Sequence, residues 1–132
     1  MITKELELHL LEGRYAVSKI ERDSSLPPVW AINDQFLSMT LTRDELSIVS
    51  PEEDVPASVR AEKGWRCIKV AGPLDFSLTG ILASLLNPLA EKGISIFAVS
   101  TYDTDYLLVK EENLAKALDA LTKSGHHIST GS

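Results

Sequence analysis

Three histidines, one cysteine and a short glycine-led loop ahead of an apolar helical stripe are the places where this chain could do chemistry. His126 and His127 are adjacent, and adjacent side chains on a strand point to opposite faces, so the pair is poorly placed to share one metal ion. His9 is far away in sequence, and no metal site is expected. Cys67 follows Arg66 but has no second cysteine or neighbouring histidine, so it reads as a buried strand residue rather than a nucleophile. No Ser-His-Asp set, Cys-His pair or glycine-rich phosphate loop is present, and no cofactor motif. The segment Gly72-Pro73-Leu74-Asp75-Phe76-Ser77 is of another kind: it leads into a helix start, where unpaired N–H groups and a partial positive charge suit a carboxylate. Asp75, Asp103 and Asp105 could accept from an ammonium or guanidinium. Each also has an ordinary role, a helix cap for Asp75 and turn chemistry for the other two.

The elements around that loop follow from hydrophobic periodicity. Arg66-Cys67-Ile68-Lys69-Val70-Ala71 alternates and is stopped by Gly72-Pro73, the pattern of a strand. Leu78, Ile81, Leu82, Leu85, Leu86 and Leu89 then recur at steps of three and four, which predicts a helix to about Lys92 with Asp75 or Ser77 as N-cap and Gly93 as stop. Pro88 lacks the N–H that would bond the Ser84 carbonyl, so a bend or local break is expected there. Strands follow over residues 94–99 and 106–109 around a polar hairpin segment, then a helix carrying Leu114, Ala117, Leu118 and Leu121, ended by Gly125, and a short strand over residues 126–129. The order is β-α-β-β-α-β, the split βαβ or ferredoxin-like motif, for which about 65 residues suffice.

The first half reads as a degraded copy. Residues 5–11 and 15–20 are strand-like, and residues 36–41 and 45–49 form a hairpin around Thr42-Arg43-Asp44. Between Ile20 and Phe36 only Leu26-Pro27-Pro28-Val29-Trp30 has apolar character, and adjacent prolines forbid a regular helix interior. Two prolines and three acids in Ser50-Pro51-Glu52-Glu53-Asp54-Val55-Pro56 suggest a solvated connection. The expected domains are therefore 1–60, a degenerate module, and 61–132, a complete one. A half so thin should depend on the other for burial, so the two are expected to pack as one α+β body.

The chain has 132 residues and a net charge of -6, most of it in the first half. A sequence pI near 5.0 argues against a partner held through phosphates, so nucleic acid is not expected. No apolar run approaches the roughly 20 residues of a membrane helix, and acid comes too early for a secretory leader. With a single cysteine, these features point to a cytoplasmic protein.

Together, the string of residues 72–82 and the string Gly93-Ile94-Ser95-Ile96-Phe97-Ala98-Val99-Ser100-Thr101-Tyr102-Asp103-Thr104-Asp105-Tyr106-Leu107-Leu108-Val109 resemble the ACT domain. Tyr15-Ala16-Val17, Pro28-Val29-Trp30 and Asp44-Glu45-Leu46-Ser47-Ile48-Val49 fit the small tandem-ACT proteins related to the cytosolic arginine sensors of animals. The resemblance implies two βαββαβ modules, pairing side by side, that bind an amino acid or another small effector without catalysis; exposed sheet edges and the family habit of pairing point to a homodimer, with a self-satisfied tandem monomer as the alternative. It places the ligand loop at residues 72–77, with Gly72, Leu74, Asp75, Phe76 and Ser77, and the facing wall at the hairpin, with Ser100, Thr101, Thr104 and Asp105. Mechanistically, ligand would bridge the loop and the hairpin and favour one arrangement of the modules. The competing readings are a small enzyme on a ferredoxin-like fold, such as an acyl-phosphate hydrolase, or a purely structural domain. The hydrolase would need an arginine in its anion loop, and residues 72–77 hold no Arg or Lys. An RNA-recognition domain would carry stacking aromatics on its central strands, and residues 66–71 have none.

Overall fold

The computed structural model describes residues 5–21, 26–72 and 80–130. Among them are eight strands, β1 (Glu7–Leu10), β2 (Tyr15–Ile20), β3 (Ser38–Leu41), β4 (Leu46–Pro51), β5 (Arg60–Val70), β6 (Ile96–Ser100), β7 (Asp105–Lys110) and β8 (His127–Thr130), and two α-helices, α1 (Ile81–Glu91) and α2 (Leu114–Lys123). The protein is α+β. It divides into two compact units, Gly13–Trp65 and Met1–Glu12 with Arg66–Ser132. Strand β5 is longer than its sequence pattern suggests, and its first six residues belong to the former unit while its last five belong to the latter.

In the unit of residues 13–65 the strand order is β3-β4-β2-β5, antiparallel throughout. That is the ferredoxin-like order with β2 as first strand and β5 as last, and 3-10 turns at Val29–Ala31 and Glu52–Asp54 stand where helices would be. Pro27 and Pro28 explain the first replacement, because neither can donate into a helical ladder. Asn33 holds the chain there instead: its Nδ2 donates to the Ala31 and Phe36 carbonyls, and its Oδ1 accepts from the Gln35 and Phe36 N–H groups. Ala31, Leu46 and Ile48 form a small core with Ile20, Trp30 and Leu37 against it. The acidic run is more than a solvated connection. The Glu52 carboxylate accepts the Gly64 N–H at 2.7 Å, and Gly64 sits at a φ of 83° where the β2–β5 register slips. A glycine in the left-handed region at such a slip is the usual seat of a β-bulge.

In the other unit the strand order is β6-β7-β5-β1-β8. Here the sequence reading needs correction, because residues 5–11 were expected to open the first module. Instead β1 lies between β5 and β8, antiparallel to the former through Leu8↔Val70 and parallel to the latter through Leu8↔Ile128. The ferredoxin-like sheet thus gains a fifth strand, inserted between its first strand β5 and its last strand β8. Leu6, Leu8 and Leu10 join Ile68, Val70, Leu107 and Val109 in one core under α1 and α2.

Both helices stop as their sequences predict. At Gly93 (φ 71°) the Ile94 N–H bonds the Leu89 carbonyl and the Gly93 N–H that of Ala90; at Gly125 (φ 100°) the His126 and Gly125 N–H groups bond Leu121 and Thr122 in the same way. These are Schellman caps. The expected break at Pro88 does not occur, since α1 continues through it to Glu91. The carbonyl that Pro88 leaves without an intrahelical partner, Ser84 O, lies 3.3 Å from His126 Nε2. The other nitrogen of that ring, Nδ1, accepts the Leu6 N–H at 3.2 Å. His126 is 2% exposed and belongs to the core, while His127 on the opposite face is exposed.

Candidate functional site

The expected N-caps of α1, Asp75 and Ser77, lie outside the described residues, as do Leu74 and Phe76. The cap position is filled by Gly80 at a φ of 75°, with no side-chain cap. The first intrahelical bond runs from the Ser84 N–H to the Gly80 carbonyl, so the N–H groups at the start of α1 have no acceptor within the helix. Gly72 is an exposed bend just beyond β5.

The second segment is the β6–β7 hairpin, whose terminal pair is Ser100↔Asp105. Its turn closes on itself. The Thr101 N–H donates to the Thr104 carbonyl at 2.8 Å, the Thr101 hydroxyl donates to the same carbonyl at 3.1 Å, and the Thr104 N–H donates back to that hydroxyl at 3.3 Å. Thr104 is 5% exposed and its own hydroxyl donates to the Val70 carbonyl at 2.7 Å. Since Val70 ends β5 two residues before Gly72, this bond pins the hairpin to the strand that feeds the glycine-led loop. The Thr101 side chain is therefore engaged in the turn and the Thr104 side chain in the tie to β5.

Ser100 and Asp105 have a different disposition. The Ser100 hydroxyl donates to Asp105 Oδ1 at 2.5 Å, which orients a half-buried carboxylate at the hairpin mouth. Asp105 makes no ion pair with a described residue, so its charge is available to a cationic group. Asp103 sits exposed at the tip beside Tyr102, which is 80% exposed. Of the residues expected from sequence, the structure thus brings Gly72, Ser100, Thr101, Thr104 and Asp105 to one end of the sheet.

Two basic side chains of the neighbouring strand are engaged within the fold. Arg66 reaches Glu111 at 3.4 Å, and Lys69 lies 5.9 Å from the centre of the Tyr106 ring. Cys67 is fully buried, and desolvation pushes its thiol up to about 12. Among the described residues no group of three or more His, Cys, Asp or Glu is arranged to hold a metal ion, and no helix is long and apolar enough to cross a membrane. Sequence reading missed the role of His126. The signal available for it was Pro88, which announces that the Ser84 carbonyl needs a partner but not which one.

Comparison with known proteins agrees with this architecture. Residues 60–123 match the family model of the ACT domain, and residues 13–58 match a separate model describing an N-terminal domain. The bovine cytosolic arginine sensor for mTORC1 subunit 1 is 29% identical over 143 residues, covering 89% of this chain and 42% of that protein. The chain thus spans less than half the length of the arginine sensors it matches. Among solved structures, the Agrobacterium tumefaciens protein Atu0741 superposes with a TM-score of 0.92 at 39% identity, covering 98% of this chain and 96% of that one. The ligand-free regulatory subunit of aspartate kinase from Thermus thermophilus shares the fold, with a TM-score of 0.60 at 11% identity over 85% of this chain and 93% of that one.

Proposed function

Because this chain is an ACT-domain protein, we propose that it is a regulatory module that binds a free amino acid where the loop of residues 72–77 meets the β6–β7 hairpin, and that it carries out no catalysis. The observation that carries this reading is the bond from the Thr104 hydroxyl to the Val70 carbonyl, which holds the Ser100–Asp105 pair beside the exit of β5. The α-carboxylate would meet the N–H groups at the start of α1, where the helix dipole favours an anion. The ammonium, or the guanidinium of an arginine, would meet the Asp105 carboxylate in a charge-assisted hydrogen bond. Asp75, Phe76, Ser77 and Leu74 would line the loop side. Arginine is the first ligand to try, because the similar bovine protein is an arginine sensor. The module would act in the cytoplasm as a homodimer, with neither nucleic acid nor membrane as partner.

Thermal unfolding in the presence of each common amino acid tests the proposal. Ligand at a thousand times its Kd adds about 4.1 kcal/mol to stability, so a millimolar concentration of a micromolar ligand moves the midpoint by roughly ten degrees or more. Asp105→Asn should remove most of that gain while leaving the unliganded midpoint within about 0.5 kcal/mol, as for other half-exposed positions. If no amino acid stabilises the protein, or if the gain survives both Asp75→Ala and Asp105→Asn, the proposed site is wrong.

A further inference from the structure

The unit of residues 13–65 contains a cleft of about 400 Å³, lined by Lys19, Ile20 and Glu21 at the end of β2, Asp44 in the β3–β4 turn, and Ser58, Val59 and Arg60 at the approach to β5. Two features of this lining bear on what it could hold. Lys19 and Arg60 are direct partners across β2 and β5, so their side chains rise from the same face as a pair of like charges, an arrangement that is unfavourable unless an anion lies between them. Glu21 and Asp44 line the same cleft, yet none of the four charged side chains makes an ion pair or hydrogen bond with a described residue. All four are exposed, so charges of both signs line one open cleft. The β3–β4 turn is firm, because the Thr42 hydroxyl accepts the Asp44 and Glu45 N–H groups, and Thr42 N–H bonds the Glu45 carbonyl. Asp44 is therefore presented by a rigid turn. Ile20, half-buried against the small core, and Val59 give the cleft an apolar portion.

From this pattern we infer that the cleft is a binding site for a small zwitterion with a short aliphatic side chain. Its carboxylate bridges Lys19 and Arg60, its ammonium faces Glu21 and Asp44, and its side chain rests on Ile20 and Val59. Separated charges of both signs select a molecule that carries both; either half alone leaves two like charges of the cleft unneutralised. This site shares no residue with the one proposed above, so the two succeed or fail separately.

Titration of the isotopically labelled full chain, read by backbone amide shifts, tests the inference with three probes of matched shape: L-valine, isovalerate, which lacks the ammonium, and isobutylamine, which lacks the carboxylate. L-valine is expected to shift the amides of residues 19–21, 44 and 58–60 saturably at millimolar concentration. Each single-charge probe should need about tenfold more, the equivalent of one lost charge-assisted contact. Lys19→Gln with Arg60→Gln, and separately Asp44→Asn in the exposed turn, should each weaken L-valine about tenfold or more. The inference is overturned if isovalerate binds as well as L-valine, which would mark a plain anion site, if the shifts ignore Asp44→Asn, or if no shift localises to these residues.

Discussion

Replacing His126 by alanine should strand two buried main-chain groups at once, the Leu6 N–H now 3.2 Å from Nδ1 and the Ser84 carbonyl now 3.3 Å from Nε2. Each orphaned group costs about 1–3 kcal/mol, and both bonds lie at the long end of the normal range, so about 3 kcal/mol in total is the expected loss. For a chain of this size that corresponds to a fall in Tm of roughly 10–15 °C. The damage should be localised, with β1 amides losing protection from hydrogen exchange, because His126 ties the start of that strand to α1. The decisive test is a double-mutant cycle with Pro88→Ala, followed by urea denaturation. Alanine at position 88 restores an N–H that can bond the Ser84 carbonyl, so it should stabilise the His126→Ala background by about 1 kcal/mol more than it stabilises the parent. If the two substitutions add within about 0.3 kcal/mol, His126 does not serve the carbonyl that Pro88 exposes, and the account of an unbroken α1 is wrong.

Thr104→Val keeps the shape of the side chain but removes the donor to Val70; it should cost about 1–2 kcal/mol by urea denaturation and also weaken amino-acid binding, since the hairpin loses its tie to β5. Burial raises the Cys67 thiol from 9.0 to about 12, so the unfolded chain loses its thiol proton first as the solution becomes alkaline. Its contribution is fully present below about pH 9 and declines between pH 9 and 12 by about 1.4 kcal/mol per unit; Cys67→Ala should flatten that part of a stability-against-pH curve. Gly93→Ala, where the added methyl meets nothing within 4 Å, should cost about 1–2 kcal/mol through its φ of 71° alone, read as a lower Tm.

Elements whose information is local were legible in the sequence. The leucine stripe of α1, the stops at Gly93 and Gly125, the β6–β7 hairpin and the prolines that replace the first helix of residues 13–65 all lie within one or two turns of the residues they govern. Information carried by distant partners was not. The alternation Leu6, Leu8, Leu10 specifies a half-buried strand equally well in any sheet, and only pairing with Val70 and Ile128 places β1 between β5 and β8. The same holds for His126, whose donor partner, the Leu6 N–H, and acceptor partner, the Ser84 carbonyl, are 120 and 42 residues away. The hairpin residues stand out in the sequence as candidates because turn chemistry and ligand chemistry use the same residue types. The same identity leaves a structural and a ligand role equally open for Thr101 and Thr104 in the sequence; their hydroxyls bond the Thr104 and Val70 carbonyls, which leaves Asp105 as the carboxylate to test.

The central claim is that an amino acid binds at the junction of β5, α1 and the β6–β7 hairpin. Backbone amide shifts during titration with the amino acid that most raises Tm test it directly. The account predicts saturable shifts concentrated at residues 72, 80–84 and 100–106 and abolished by Asp105→Asn. Shifts confined to other parts of the chain, or unchanged in that variant, would contradict it.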